Sequence, residues 1–142
     1  MKTASQLLES RDGTLWHARP DDTVFQALQL LAEYEVGALM VIDEGRLVGV
    51  LSERDYTRKI ALQGRSSKDT LVKDIMTRDV LYVTPNTGAP ECMALMSEKK
   101  IRHLPVLDGH TVVGMISIRD ILDDIIAEQE MTIAHLENYI RS

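Results

Sequence analysis

The sequence has a single cysteine, Cys92, in 142 residues. That excludes an internal disulfide, offers no cysteine cluster for a metal, and fits a reducing compartment. Basic charge is also short: 16 Lys and Arg stand against 22 Asp and Glu, for a formal net charge of −6. Broad nucleic-acid binding needs a basic face to neutralise phosphate, so that class is set aside. No apolar run approaches the roughly 20 residues of a membrane span, and the opening MKTASQLLESRDG lacks the apolar stretch of a signal peptide. The expected location is therefore cytoplasmic, with no membrane contact. Catalytic signatures are equally scarce. There is no glycine-rich phosphate loop, no metal-ligand spacing and no nucleophile–base set. No catalytic residue, no metal ligand and no enzymatic activity are expected.

What is present is a repeat. Val41 to Thr57 and Val106 to Leu122 carry the same pattern, and Ser52, Arg54 and Asp55 recur as Ser117, Arg119 and Asp120 at an offset of 65. The match extends without a gap through Pro20 and Pro85, Leu30 and Leu95, Leu39 and Leu104, and Gly49 and Gly114. A self-match at a fixed offset governs the reading of every shorter motif. The copies are not chemically equivalent, since Gly37-Ala38-Leu39-Met40 in the first becomes Arg102-His103-Leu104-Pro105 in the second. Hydrophobic residues at 44% and charged residues at 27% are ordinary for a globular chain.

The local patterns give each copy the order strand, helix, strand, strand, helix. Thr3 or Ser5 caps a short helix through Leu8, a loop follows at Arg11–Gly13, and Thr14 to Ala18 is a strand. Asp21, Asp22 and Thr23 open a helix with Val24, Ala27, Leu28 and Leu31 at helical spacing, ended by Gly37. Ala38 to Ile42 and Arg46 to Leu51 are strands joined by Glu44-Gly45. Gly49, inside a strand, marks a bulge or the close approach of another group. A helix runs from Ser52 to about Leu62. The polar stretch Gln63 to Asp69 links the copies, and Leu71 to Met76 is a short helix. In copy two, Val80 to Val83 is expected as the first strand, followed by a helix after Pro85 and strands at Leu104–Leu107 and Thr111–Ser117. The last helix runs from Ser117 to about Ile140, with Ile118, Leu122, Ile125, Ile133, Leu136 and Ile140 along one side. The repeat divides the chain at residues 1–64 and 65–142. A sheet so small cannot bury both faces alone. Two βαββα copies packed sheet to sheet, helices outside, would share a core under approximate two-fold symmetry, which makes the fold class α/β (α+β type) with two related clefts.

Ser52 and Ser117 stand where a strand passes into a helix, and an acid three residues on completes a capping box. The same geometry suits a ligand: a helix N-terminus favours an anion, and a carboxylate there can accept from two sugar hydroxyls. A cap needs no arginine, yet Arg54 and Arg119 precede the acid in both copies, where a planar fork of donors suits phosphate. Arg102-His103 can be a solvated helix end that complements the dipole, or an anion-binding pair leading into a strand. Both readings stay open on residues alone.

The chain resembles a tandem of CBS motifs, the cystathionine-β-synthase-type repeat, paired as a Bateman module. The resemblance rests on Val72-Lys-Asp-Ile-Met-Thr77 leading to Pro85, on Ile101-Arg-His-Leu-Pro-Val-Leu-Asp108, and on Gly49 to Asp55 and Gly114 to Asp120. It implies a sensor for an adenosine nucleotide, AMP first, with ATP or NAD(H) as alternatives, and no catalytic residues. It also implies two clefts. The first combines Val50, Ser52 and Asp55 with Val80 and Leu81, with Arg102, His103 and Arg119 on phosphate. The second combines Met115, Ser117 and Asp120 with Leu15, Trp16 and Arg54. There Gly37-Ala38 replaces a basic pair, and Arg58 and Lys59 would compensate. A homodimer and an effector protein acting in trans are the implied partners. The competing expectation is a structural or dimerisation module with vestigial clefts.

Overall fold

The computed structural model describes residues 2–9 and 15–141. The expected loop at Arg11–Gly13 and the strand start at Thr14 lie outside the described residues. In chain order the elements are α1 (Ala4–Leu8), β1 (His17–Ala18), α2 (Val24–Tyr34), β2 (Ala38–Asp43), β3 (Arg46–Ser52), α3 (Glu53–Tyr56), α4 (Val72–Ile75), α5 (Ala89–Lys99), β4 (His103–Asp108), β5 (Thr111–Ser117) and α6 (Ile118–Arg141). The chain divides into two compact units: Thr14–Leu81 with Gly109–Val112, and Met1–Gly13 with Tyr82–Asp108 and Val113–Ser142.

The first unit is built on a sheet ordered β1-β2-β3. β1 pairs parallel with β2 through His17–Met40 and Ala18–Val41, and β2 runs antiparallel to β3. The hairpin turns at Glu44 and Gly45, with φ of 50° and 79°. Two successive left-handed residues form the turn whose twist matches paired strands, and glycine takes the second position without steric cost. Thr23 caps α2 through a capping box with Gln26. α2 ends earlier than Gly37: Glu35 adopts φ 54°, and its N–H bonds to the Leu31 and Ala32 carbonyls. Val36 N–H also reaches the Leu31 carbonyl at 3.1 Å. This left-handed closure satisfies the last carbonyls before any glycine is reached. Val24, Ala27 and Leu31 of α2 then pack with Leu39, Val41 and Leu51 of the sheet and with Ile60, Val72 and Ile75.

The helix after Ser52 is not uniform. Four residues of α3 pass into a π-helical stretch, Thr57–Ala61, where Leu62 N–H bonds to the Thr57 carbonyl. Such single π turns widen a helix locally and turn its side chains relative to a regular helix.

The second unit repeats the plan with α5, β4, β5 and α6, and β4 pairs with β5. α5 closes as α2 does, at Lys100 with φ 55°. The strand expected at Val80–Val83 does not form; a single parallel bridge joins Val83 to Val106. Its two bonds are Val83 N–H to the Pro105 carbonyl and Leu107 N–H to the Val83 carbonyl. Pro105 has no N–H with which to continue the ladder. The homologous position in the first copy is Met40, and there β1 does form. α6 is capped by Ser117 and runs to Arg141. The apolar residues expected on one side do share an arc at about 100° per residue, but the fully buried positions stand beside that arc rather than on it. Ile121 and Asp124 are buried and Ile118 and Ile125 half-buried, whereas Leu122, Ile133, Leu136 and Ile140 are exposed.

Each unit borrows the short helix that precedes the other copy in sequence. In the first unit Val24 N–H bonds to the Thr70 carbonyl, Val72 N–H to Asp22 and Lys73 N–H to Pro20. In the second, Ala89 N–H bonds to the Lys2 carbonyl, Ala4 N–H to Thr87 and Ser5 N–H to Pro85. Pro20 and Pro85, Asp22 and Thr87, and Val24 and Ala89 stand at the repeat offset, so α1 does for copy two what α4 does for copy one. The sequence boundary at 64 and 65 puts α1 with the first motif, whereas the compact units group it with the second.

Candidate functional site

Ser52 closes β3 and opens α3, and its hydroxyl accepts from Asp55 N–H at 3.2 Å. Asp55 answers through Oδ2, which accepts from Ser52 N–H at 2.9 Å and from the Ser52 hydroxyl at 3.1 Å. The capping box is therefore real, but it uses only one carboxylate oxygen. Oδ1 accepts from the Thr77 hydroxyl at 3.3 Å and lies 3.1 Å from Lys59 Nζ. Lys59 Nζ also donates to the Ile75 carbonyl at 2.7 Å. A carboxylate has about four acceptor positions, and here two donors meet each oxygen. The Asp55 side chain is 11% exposed, so the hydroxyl and ammonium groups around it take the place of water.

Thr77 reaches Asp55 because β3 holds it there. Val50 and Thr77 exchange both backbone bonds, at 3.0 and 2.9 Å. The neighbouring strand position must be glycine. A Cβ on Gly49 would lie 2.7 Å from Met76 Sδ and 2.9 Å from the Thr77 carbonyl oxygen. The strand glycine thus marks a close approach, and what approaches is the segment that delivers Thr77. Thr77 is a site residue that the sequence reading passed over; the available signal was its place at the end of the Val72–Thr77 motif. Beyond it Val80 and Leu81 are half-buried, as is Val50, and all belong to the same unit.

The other residues singled out in this unit are placed differently. Trp16 stacks on Tyr34, with ring centroids 4.7 Å apart and planes 2° from parallel, and Trp16 is 38% exposed. Leu15 is half-buried, and its carbonyl bonds His17 Nδ1 at 2.8 Å. Arg54 and Arg58 are exposed. Lys59, expected to compensate for the missing basic pair in the second cleft, is instead engaged by Asp55 and Ile75.

In the second unit Ser117 N–H donates to Asp120 Oδ2 at 2.7 Å, and Asp120 N–H donates to the Ser117 hydroxyl at 3.2 Å. The Arg102 carbonyl accepts from Ile118 N–H at 2.9 Å, as the Gly37 carbonyl does from Glu53 N–H at 3.0 Å in the first unit. That bond brings Arg102 next to Ser117 and Arg119 at the start of α6. Arg102 and Arg119 are exposed, while His103, Met115 and Asp120 are half-buried. The repeat then breaks. The counterpart of Lys59 is Asp124, whose Oδ1 lies 3.7 Å from Lys2 Nζ and whose buried Oδ2 has no hydrogen-bond partner among the described residues. Among the described residues no group of three or more His, Cys, Asp and Glu could hold a metal, and no helix is long and apolar enough to cross a membrane. Cys92 lies buried, and burial, helped by neighbouring Glu91, pushes its thiol pKa up.

The chain matches the model of the CBS domain family twice, at residues 15–62 and 72–127. It is 41% identical over 138 residues to the mitochondrial CBS domain-containing protein CBSX3 of Arabidopsis thaliana, covering 94% of this chain and 67% of that one. Among solved structures, a candidate signal-transduction protein with CBS domains from Burkholderia ambifaria MC40-6 is 46% identical. It superposes with a TM-score of 0.86 and covers 90% of this chain and 96% of that one. A hexameric CBS-CP12 protein from bloom-forming cyanobacteria superposes with a TM-score of 0.74 at 27% identity, covering 93% and 85%. Two family matches, one per repeat, and these likenesses over nearly the full length make the chain a member of the CBS domain family, with two CBS motifs in tandem.

Proposed function

We propose that the chain is a non-catalytic regulatory module that binds an adenosine nucleotide, with Asp55 holding the ribose. The observation that carries this reading is the donor set on Asp55. Capping requires only Ser52, yet the buried carboxylate also gathers Thr77 and Lys59. These are donors that a pair of ribose hydroxyls can replace one for one. Val50, Val80 and Leu81, in the same unit as Asp55, are proposed to contact the base; Arg102, His103 and Arg119 are the phosphate residues that the family resemblance implies. AMP is the first choice, with ATP and NAD(H) as alternatives that share its adenosine half. A bound nucleotide would report to an effector protein in trans.

The likeness to a candidate signal-transduction protein supports a regulatory role. The hexameric assembly of the CBS-CP12 protein supports self-association, and we infer that this chain pairs with a second copy. The competing reading, a structural module with vestigial clefts, draws on one observation: Asp55 is satisfied without a ligand.

A melting screen with AMP, ATP, NAD, NADH, S-adenosylmethionine and adenosine tests the proposal. A ligand that binds only the folded state at a hundredfold excess over Kd adds about 2.7 kcal/mol, a rise of several degrees for a chain of this size. No shift with any adenosine compound at millimolar concentration favours the structural module.

A further inference from the structure

The last three turns of α6 are exposed throughout. They take in residues 129 to 141, about 20 Å of helix at 1.5 Å per residue. A projecting helix of that length is marginal in water, and this one carries Thr132 and two isoleucines, which are mediocre helix formers. Its sequence is not that of a solvated helix. Leu122, Ile126, Gln129, Ile133, Leu136 and Ile140 fall at alternating steps of four and three, all exposed. At about 100° per residue these six fall within one stripe. The stripe lies roughly a third of a turn around the helix from Ile121 and Asp124, the residues that face the body. It is a heptad seam with isoleucine at each a position (126, 133, 140) and leucine at two of three d positions (122, 136).

We propose that this seam is a parallel two-stranded coiled coil with a second copy of the chain. Isoleucine at a with leucine at d favours two parallel strands. The flanking charges choose the direction. The e positions are Asp123, Glu130 and Glu137, and the g positions are Ile125, Thr132 and Tyr139. An antiparallel pair sets e against e, which would place acid beside acid along the seam. A parallel pair sets e against g, and each acid then meets a neutral residue. A like pair also gives the self-complementary surface that two-fold symmetry requires. The proposal rests on the reading that the chain self-associates, and it adds the surface and the orientation.

The test uses the full chain. Sedimentation of wild type and of Leu136→Glu gives the dimer Kd, and circular dichroism confirms that the exposed substitution leaves the fold intact. Ile126→Cys and Ile140→Cys, made singly, test orientation by oxidation, with wild type as control for the buried Cys92. The proposal expects a wild-type dimer, a Kd raised about tenfold or more by a charge in the seam, and disulfide-linked dimers from both cysteine variants. A dimer indifferent to Leu136→Glu, or one that cross-links at neither position, overturns the seam while leaving self-association standing. A monomeric wild type overturns both.

Discussion

Lys59 Nζ lies 3.1 Å from Asp55 Oδ1, one helical turn away, whereas the repeat-related position, 124, holds a second carboxylate one turn beyond Asp120. The first copy thus carries its own counter-charge beside the acid assigned to ribose, and the second copy carries a like charge. The π-helical stretch from Thr57 to Ala61 contains Lys59. From there its ammonium spans the carboxylate and the Ile75 carbonyl, 2.7 Å away.

Replacing Lys59 with Met separates stability from binding. The side chain is 39% exposed, so solvent screens the ion pair and the loss in unfolding free energy is about 1 kcal/mol or less. Adenosine affinity should not fall, because a competitor for Asp55 has been removed rather than a ligand contact. Denaturant titration and calorimetry on the same sample measure the two effects. A drop in adenosine affinity would make Lys59 a ligand contact.

Gly49→Ala should destabilise more than Gly114→Ala. The new Cβ at position 49 meets the Thr77 carbonyl at 2.9 Å, whereas at position 114 its nearest neighbours are the Leu8 methyls, at 3.1 Å. Overpacking against backbone costs about 1–3 kcal/mol, while a leucine tip can rotate away. Chemical denaturation of the two variants ranks them. Equal costs would mean that the Thr77 segment yields as easily as a side chain.

Much of this was legible in the sequence, and its limits have physical causes. The offset of 65 gave the two copies, and the Ser-x-Arg-Asp spacing gave both helix caps. Gly49 inside a strand reads as a bulge or a close approach, and both are present: the β2–β3 register shifts between Val41 and Ile42 beside it, and the Thr77 segment packs where its Cβ would be. What the sequence could not display is which short helix serves which copy. The bonds of α1 to Pro85 and Thr87 are made by backbone atoms, so little in the side chains records them. The missing strand at Val80–Val83 follows from Pro105, a residue on a different strand, and propensity at Val80–Val83 itself carries no trace of it. Thr77 was overlooked for a similar reason: a lone threonine after a short helix acquires meaning only once β3 carries it to Asp55.

The crossed helix gives a prediction of its own. Leu7 is 8% exposed in a helix that precedes the first motif but completes the second unit. Leu7→Ala should cost about 2–5 kcal/mol, the range for a large-to-small change in a core. Thermal or denaturant unfolding checks it. A cost near zero would mean that α1 is a dispensable appendage.

Cys92 should be inert in the folded protein. Its thiol pKa is raised, first by burial and then by Glu91. A raised folded-state value stabilises the fold fully below the ordinary thiol range, and that contribution is lost as pH climbs through the higher folded-state pKa. Thiol-reactive chromophore should therefore label native protein slowly at neutral pH and rapidly in denaturant, and stability should decline at alkaline pH. Fast native labelling would contradict the burial.

The most direct test of Asp55 as the ribose acceptor is calorimetric titration of wild type and Asp55→Asn with the best nucleotide from the melting screen, alongside Asp120→Asn and Arg102→Ala. Asparagine keeps an acceptor for the cap but sets an amide donor against the ribose hydroxyls. Losing a charge-assisted hydrogen bond costs about 1.5–3 kcal/mol, or roughly tenfold to a hundredfold in affinity. The account predicts that loss for Asp55→Asn, a smaller one for Asp120→Asn, and for Arg102→Ala weaker nucleotide binding with adenosine spared. Unchanged nucleotide affinity in Asp55→Asn would contradict the account and leave Asp55 as a helix cap alone.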